Sequence, residues 1–192
     1  MTMPGERLDA VVAQAVAGDR NAVREVLETI RPIVVRYCRA RVGTAVRGGF
    51  SADDVAQEVC LATMMALPRY RDRGRPFLAF LYGIAAHKVA DAHRAAGRDL
   101  AYSADCVPDR LSAEAGPEQL AIEADSVSRM KELLEVLPAK QREILILRVV
   151  VGLSAEETAA AIGATTGAVR VAQHRALARL KSAIVAAGRD YA

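Results

Sequence analysis

Residues 137–181 read LPAKQREILILRVVVGLSAEETAAAIGATTGAVRVAQHRALARLK, and this stretch decides the fold because it predicts two helices joined by a tight turn. Ser154 and Glu157 form an S-x-x-E capping box, in which each side chain binds an exposed backbone N–H at the helix start. We therefore expect the first helix to begin at about Ala155. Gly163 has no Cβ and can adopt the positive φ that a sharp turn after this helix requires.

The second helix has one apolar side and basic residues elsewhere. Thr165 or Thr166 can cap its N-terminus. Helical spacing places on the apolar side Val169, Leu177, Leu180 and Ile184. The other sides carry Arg170, His174, Arg175, Arg179 and Lys181. This pattern is typical of a DNA-binding helix-turn-helix, although an ordinary helical hairpin with a solvated basic face has the same pattern.

The spacing within this stretch also matches the general helix-turn-helix pattern. Ala159 is the small residue of the first helix, Gly163 makes the turn, and Val169 is the aliphatic residue of the second helix. Thr158 departs from the pattern, because an aliphatic residue is more usual at that position.

The composition predicts an all-α protein. The chain has 192 residues, 52% of them hydrophobic, so it can form one large or two small folded domains. Aromatic residues make up only 4%, Trp is absent, and Ala, Leu, Arg and Glu are abundant. This balance favours helices over sheets.

A segment without apolar periodicity divides the chain. Residues 99–118 collect Pro, Gly, Ser and Asp, the composition of an exposed connector. We expect two small helical domains, residues 1–98 and 119–192, joined by a flexible linker at 99–118. The predicted helices are 8–17, 20–42, 52–67 and 77–96 before the linker, then 119–137, 139–151 and the helix-turn-helix.

The cysteines and the N-terminus indicate a cytoplasmic protein. Cys38, Cys60 and Cys106 are widely spaced without a C-x-x-C pair, so neither a disulfide framework nor a zinc site is indicated. Residues 1–18 lack the apolar core of a signal peptide, and no apolar run reaches the length of a membrane span. We expect no cofactor, no metal and no direct membrane binding.

The net charge of +3 is only mildly basic, so the position of the charges matters more than their sum. Arg and Lys outnumber Asp and Glu in residues 69–98 and again from residue 170 onward. Two separated basic segments suggest two contacts with one polyanion.

Residues 51–67 predict a helix with an acidic edge. Ser51 can cap it, and Asp53 and Asp54 in the first turn interact favourably with the helix dipole. The edge combines Asp54, Gln57, Glu58 and Leu61. An amphipathic helix with a solvated acidic face explains this pattern too. Because acidic groups repel phosphate, a functional edge would contact protein rather than DNA.

Residues 68–98 join an arginine-rich loop, PRYRDRGRP, to a predicted helix. The four arginines and Tyr70 offer charge and a stacking surface, which suits unpaired DNA. In the helix, the inward set is Phe77, Phe80, Leu81, Ile84 and Ala85, and the outer set is His87, Lys88, Asp91 and Arg94. For Phe77 and Phe80 we expect plain core packing.

These segments together resemble the extracytoplasmic-function, or group 4, RNA polymerase sigma factors of bacteria. SADDVAQEVCLA (51–62) resembles the D-x-x-Q-E pattern of the second conserved region, and FLAFLYGIAAHKVADAHR (77–94) resembles its W-L-x-x-I-A-x-N-x-x-x-D-x-x-R pattern. Residues 137–180 resemble the fourth region. The motifs stand in the family's order across residues 7–185, the linker excepted, and are most similar to the D-type group of mycobacteria.

The resemblance implies roles for the N-terminal domain, which would bind the polymerase clamp and the minus-10 promoter element. The expected polymerase-binding residues are Asp53, Asp54, Gln57 and Glu58. The loop would capture a base flipped out of the minus-10 strand, and the expected minus-10 residues are Tyr70, Arg71, Arg73, Arg75, His87, Lys88 and Asp91. His87 stands where the family usually has Asn, so its reach and hydrogen bonding differ.

In the C-terminal domain the family's contacts to the minus-35 element map onto Arg170, Val171, Ala172, His174 and Arg175. Arg170 and Arg175 can each pair with the O6 and N7 acceptors of guanine. Arg179 is expected to meet phosphate. Val171 and Ala172 replace a common Ser-Arg pair, which removes one hydroxyl and one phosphate contact.

The resemblance also implies the partners: the clamp and flap regions of core RNA polymerase, promoter DNA, and an inhibitory anti-sigma factor, often anchored in the membrane. We expect promoter recruitment and strand opening without catalysis, because the three histidines lack an adjacent nucleophile and oriented acid. The alternatives are an autonomous helix-turn-helix regulator, which would need a sensory or receiver domain, and an enzyme using the cleft between the domains.

Overall fold

The computed structural model describes residues 4–43, 51–102, 134 and 136–189, and in these residues the regular structure is entirely helical. The α-helices are α1 (Pro4–Val16), α2 (Arg20–Val42), α3 (Ala52–Ala66), α4 (Phe77–Tyr102), α5 (Ala139–Leu145), α6 (Ala155–Ile162) and α7 (Thr166–Arg189). A 3₁₀ turn, Leu67–Arg69, follows α3, and a π-helical turn, Ile146–Val151, follows α5. The all-α prediction is confirmed.

Helices α1 to α4 form the N-terminal domain around α2. Asp19 caps α2 by accepting hydrogen bonds from the backbone N–H groups of Asn21 (2.8 Å) and Ala22 (3.3 Å). The fully buried side chains of the core include Val26, Ile30, Val34, Val59, Phe77 and Leu81. Asp9 of α1 accepts a hydrogen bond from the Phe77 N–H at 2.9 Å, so α1 caps the start of α4.

Helix α4 is longer than the sequence predicted. It continues to Tyr102, so the first residues of the expected linker at 99–118 are helical. The remainder of that linker, Cys106 and nearly all of the predicted helix 119–137 lie outside the described residues.

Burial raises the pKa of the Cys38 thiol to about 12, which keeps it protonated in the core.

Helices α6 and α7 form the predicted helix-turn-helix. The Ser154 hydroxyl accepts from the Glu157 N–H at 3.0 Å, and the Glu157 carboxylate accepts from the Ser154 N–H at 2.7 Å, which confirms the capping box. Gly163 ends α6 with φ at 65°. Thr165 accepts from the Ala168 N–H at 3.2 Å and therefore caps α7.

The prediction of which residues form the apolar side of α7 is partly wrong. Leu177 and Ile184 are 47% and 55% exposed, whereas Val169 and Ala176 are fully buried and Leu180 is half-buried. A residue turns the helix by about 100°, so Ala176 falls on the stripe of Val169 and Leu180 while Leu177 is rotated away from it. The small side chain of Ala176 lets α7 approach α5.

The two domains pack against each other. Ile146, Leu147, Val151 and Leu153, from the π-helical turn and the residues after it, belong to the same hydrophobic core as α1 to α4. The π-helical turn contacts α2, and α6 contacts α4. The described parts of the two domains therefore share one apolar interior.

Replacement of Thr158 by Val tests the departure from the helix-turn-helix pattern. Thr158 is fully buried, and its hydroxyl has no hydrogen-bond partner among the described residues. Since an unsatisfied buried hydroxyl destabilises a fold, we expect Thr158→Val to raise the free energy of unfolding by about 1 kcal/mol. Equilibrium urea denaturation of the purified chain measures this change.

Thr63 provides the matched control. It is equally buried, but its hydroxyl donates to the Val59 carbonyl at 2.7 Å. Thr63→Val should therefore lower the free energy of unfolding by about 1 kcal/mol. Equal losses in both variants would contradict the assignment of Thr158.

Candidate nucleic-acid and protein interfaces

The outward side of α7 carries the five residues predicted to read DNA. Arg170, Val171, His174, Arg175 and Arg179 are all exposed, and Val171 is 51% exposed. The stripe around Val169 and Ala176 that packs on α5 and α6 lies on the opposite side. The structure therefore brings these residues to one accessible surface.

Three hydrogen bonds that the sequence motifs did not indicate position this surface. Glu156 in the first turn of α6 accepts a hydrogen bond from Arg170 at 3.1 Å. Arg148 donates from Nε to the Gln173 side-chain oxygen at 3.0 Å and from Nη1 to the Leu153 carbonyl. Arg148 is a lone cation in the apolar run ILILRVVV, and that placement was the available signal.

The arginine-rich loop is folded by local contacts. Asp72 accepts a hydrogen bond from the Gly74 N–H at 2.8 Å, and Gly74 has φ at 72°, a value that favours glycine. The Tyr70 ring lies 5.3 Å from the Phe77 ring and 5.0 Å from the Phe80 ring, between centroids. Burial raises the pKa of Tyr70, so its hydroxyl stays neutral. Core packing of Phe77 is confirmed, and Phe80 is half-buried.

A groove of about 1140 Å³ opens beside this loop. Its lining includes the side chains of Arg71, Arg73 and Arg75, together with Tyr70, Met65 and Phe80. Ala160 and Ala161 of α6 line its other side. Cationic groups around an apolar and aromatic floor can accept a base and its phosphates together.

The three remaining predicted minus-10 residues lie on α4 and carry charged partners. His87 Nδ1 is 3.0 Å from an Asp91 carboxylate oxygen, and Asp91 also accepts from Arg94. The Arg94 hydrogen bond is the main cause of the lowered pKa of Asp91. Lys88 instead donates to Glu58 of α3 at 2.9 Å. One ion pair thus joins a predicted DNA-binding residue to a predicted polymerase-binding residue.

The predicted acidic edge on α3 is exposed, and several of its charges have intramolecular partners. Asp53 accepts two hydrogen bonds from Arg39, at 2.9 and 3.0 Å. Asp54 accepts from the Ser51 N–H at 2.9 Å and from its hydroxyl at 2.7 Å, and these bonds lower the pKa of Asp54. Gln57 is exposed beside them.

An exposed apolar strip continues the acidic edge along α3. Leu61 and Met65 are 56% and 77% exposed. Leu61 lies four residues after Gln57, and Met65 lies four residues after Leu61, so helical spacing aligns all three. The sequence motifs did not indicate a role for Met65 or Arg39. The four-residue spacing from Gln57 and Leu61 could have indicated Met65, whereas no local sequence pattern could have indicated Arg39.

Within the described part of the chain, no helix is long and apolar enough to cross a lipid bilayer.

Models of known protein families match most of the chain. The model of Sigma-70 region 2 matches residues 26–99, and the model of Sigma-70 region 4 matches residues 128–180. The chain is 86% identical over 192 residues to the ECF RNA polymerase sigma factor SigD of Mycobacterium tuberculosis, covering 100% of this chain and 90% of SigD. The resemblance inferred from the sequence motifs is confirmed.

Two solved structures have similar folds. The structure of CnrH, a Cupriavidus metallidurans sigma factor, in complex with the cytosolic domain of CnrY matches with a TM-score of 0.66 and 25% identity, covering 92% of this chain and 96% of CnrH. The sigma factor RpoE of Bartonella quintana, in complex with the anti-sigma factor NepR, matches with a TM-score of 0.57 and 21% identity, covering 83% and 94%.

Removal of the Ser51 hydroxyl tests whether its hydrogen bond lowers the pKa of Asp54. In Ser51→Ala one of the two hydrogen bonds to the carboxylate is lost, so we expect the pKa of Asp54 to rise toward its ordinary value of 3.8. The lowered pKa means that the ionised carboxylate stabilises the fold at neutral pH and that this contribution is lost as the pH falls through the folded-state pKa. NMR titration of the Asp54 carboxyl carbon measures the pKa. Ser154→Ala is the control, and an equal pKa of Asp54 in the two variants would contradict the hydrogen bond from the Ser51 hydroxyl to the Asp54 carboxylate.

Proposed function

The chain belongs to the extracytoplasmic-function family of RNA polymerase sigma factors, and we propose that its two domains divide the promoter between them. The chain directs core polymerase to specific promoters and promotes strand opening. In the proposal, residues 1–98 bind the polymerase clamp and the minus-10 element, and residues 119–192 bind the minus-35 element. The observation that carries it is that, among the residues the structure describes, exposed basic surfaces lie on both domains and the acidic edge of α3 lies on the first.

The minus-35 surface is the outward side of α7. Arg170 and Arg175 have the forked donors that pair with guanine O6 and N7, and His174 lies between them on the exposed side. Val171 supplies apolar surface rather than a hydrogen bond. Arg179, farther along the helix, meets phosphate, which positions the helix without reading sequence.

The minus-10 surface is the groove beside the arginine-rich loop. Arg71, Arg73 and Arg75 neutralise the backbone phosphates of the unpaired strand, and Tyr70 with Phe80 offers the aromatic surface for a base. His87, Lys88 and Asp91 extend this surface along α4. Such capture stabilises the opened strand, and the polymerase, rather than this chain, makes the phosphodiester bonds.

The polymerase surface is the acidic edge of α3. Asp53, Asp54, Gln57 and Glu58 are exposed, and Leu61 adds apolar area beside them. Carboxylates here would repel DNA phosphate and attract a basic partner surface. The charge and exposure of these residues support their assignment to the polymerase clamp.

We further propose that an anti-sigma factor inhibits the chain and that the chain acts in the cytoplasm. The support is that RpoE of Bartonella quintana, which has the same fold, forms a complex with the anti-sigma factor NepR. Membrane anchoring in this proposal belongs to the inhibitor, and the sigma factor itself has no direct membrane contact.

Promoter-specific run-off transcription with purified core polymerase tests the proposal. Adding the chain to core polymerase should give a specific transcript, and Glu58→Lys should reduce it because a reversed charge opposes a basic partner surface. Glu25→Lys, which reverses an exposed carboxylate of α2 instead of α3, is the matched control. If the chain alone binds a duplex operator tightly and gives no transcript with core polymerase, it is an autonomous regulator instead.

Substitution of two arginines of α7 distinguishes a residue that reads a base from one that contacts phosphate. Arg175→Ala should weaken binding to the preferred minus-35 sequence by about 1 to 3 kcal/mol and relax specificity at one base pair. Arg179→Ala should weaken binding to all sequences alike and reduce the salt dependence. Binding of the polymerase holoenzyme to a set of single-base promoter variants measures both effects. Equal, sequence-independent losses would remove Arg175 as a base reader.

A further inference from the structure

His87 stands one helical turn beyond the residues of α4 that line the groove beside the arginine-rich loop. Phe80 and Gly83 belong to that lining. A spacing of three or four residues places side chains on the same face of a helix, so Phe80, Gly83 and His87 follow one another along α4. The His87 side chain is 73% exposed. Its imidazole ring is therefore accessible to a base that enters the groove.

Gly83 leaves the space between Phe80 and His87 open. It is exposed, and no neighbouring group lies within 4 Å of the position that a Cβ would occupy. Any other residue here would project its side chain into that space. Glycine in the middle of a helix is less stable than alanine, and no positive φ requires glycine at this position. The open space connects the aromatic floor of the groove to the imidazole ring.

Asp91 determines which nitrogen of the His87 ring carries the proton. His87 Nδ1 lies 3.0 Å from one oxygen of the Asp91 carboxylate. The other oxygen accepts a hydrogen bond from Arg94, and this bond lowers the pKa of Asp91, so the carboxylate is ionised. An ionised carboxylate only accepts hydrogen bonds, and it would repel a bare lone pair on Nδ1. The proton of the neutral ring therefore lies on Nδ1.

The outer nitrogen of the neutral ring, Nε2, is left as an acceptor. Neutral imidazole has one donor and one acceptor nitrogen, whereas an asparagine amide can present either a donor or an acceptor to the same partner. Lys88, the next residue, donates to Glu58 of α3 at 2.9 Å and so does not compete for Asp91. Among the described residues, Nε2 of His87 has no partner. Its lone pair is available to a base.

The four bases differ in the group that such an acceptor meets. Adenine and cytosine carry an amino group, N6 or N4, which donates a hydrogen bond. Guanine and thymine carry a carbonyl oxygen, O6 or O4, at the corresponding position, and this oxygen only accepts. The lone pair of Nε2 binds the amino group and is repelled by the carbonyl oxygen.

We propose that His87, oriented by Asp91, selects an amino base, adenine or cytosine, over a keto base, guanine or thymine, at one position of the unpaired minus-10 strand. This inference rests on the proposed binding of the minus-10 element by the groove. His87 contacts the base, and Asp91 is a positioning residue that acts through His87. Histidine at this position therefore narrows the choice of base, because the proton on Nδ1 leaves Nε2 only one role.

Transcription from a promoter library randomised across the minus-10 and minus-35 elements measures this preference. With the holoenzyme of the unaltered chain, promoters with an amino base at one minus-10 position should give about fivefold more transcript, the gain from one hydrogen bond. His87→Asn should remove this preference, because an amide can donate or accept. Asp91→Asn should also remove it, because the amide can satisfy either tautomer of His87. The minus-35 preferences should stay unchanged in both variants.

His93→Asn is the matched control. His93 is exposed on the same helix, but its Nε2 lies 3.1 Å from the Arg41 carbonyl oxygen of α2, so this variant should keep the amino preference. A preference that survives His87→Asn, or a keto preference in the unaltered chain, would overturn the role of His87. A preference that survives Asp91→Asn alone would overturn the role of Asp91. Absence of any promoter-specific transcript from the unaltered chain would refute the proposed function, and this inference with it.

Discussion

The burial of one broad face of α2 is the constraint on which the rest of the structure depends. Val26, Ile30 and Val34 are at most 1% exposed, and the helix packs against α1, α3, α4 and the π-helical turn. An amphipathic helix in water is stabilised by covering its apolar face. The first two-thirds of α2 satisfies this need with its own domain. Its last turns, around Tyr37, are covered by the other domain, so one helix organises both the core and the contact between domains.

Interactions within one or two helical turns were predictable from the sequence, and those across the fold were not. The capping box of Ser154 and Glu157 and the turn at Gly163 depend on residues within a few positions, and the structure has them as predicted. The phase of α7 depends on what α5 presents to it, so the predicted burial of Leu177 was wrong. The partners of Arg170 and Lys88 are 14 and 30 residues away, and no local pattern indicated them.

The candidate site shows the same difference between predictable local features and unpredictable long-range contacts. Motif spacing predicted which residues would be exposed, and the outward side of α7 and the acidic edge of α3 are exposed. It did not predict that Arg39, Glu156 and the contact of Lys88 with Glu58 would give these residues intramolecular partners. Such exposed pairs contribute about 0 to 1 kcal/mol each, so exchange for a phosphate or a polymerase side chain is inexpensive. The intramolecular pairs therefore position these surfaces but are weak enough to be exchanged for contacts with a partner.

The pairing of Arg170 with Glu156 has a consequence for counterions. An isolated arginine that brings its charge onto DNA displaces a condensed cation, and this release makes binding weaken steeply with salt. In the proposed DNA complex Arg170 leaves Glu156 for the DNA, and the freed carboxylate attracts a cation from solution. The net release is smaller than the number of arginines suggests. A protein built in this way keeps more of its promoter affinity when the ionic strength of its surroundings rises.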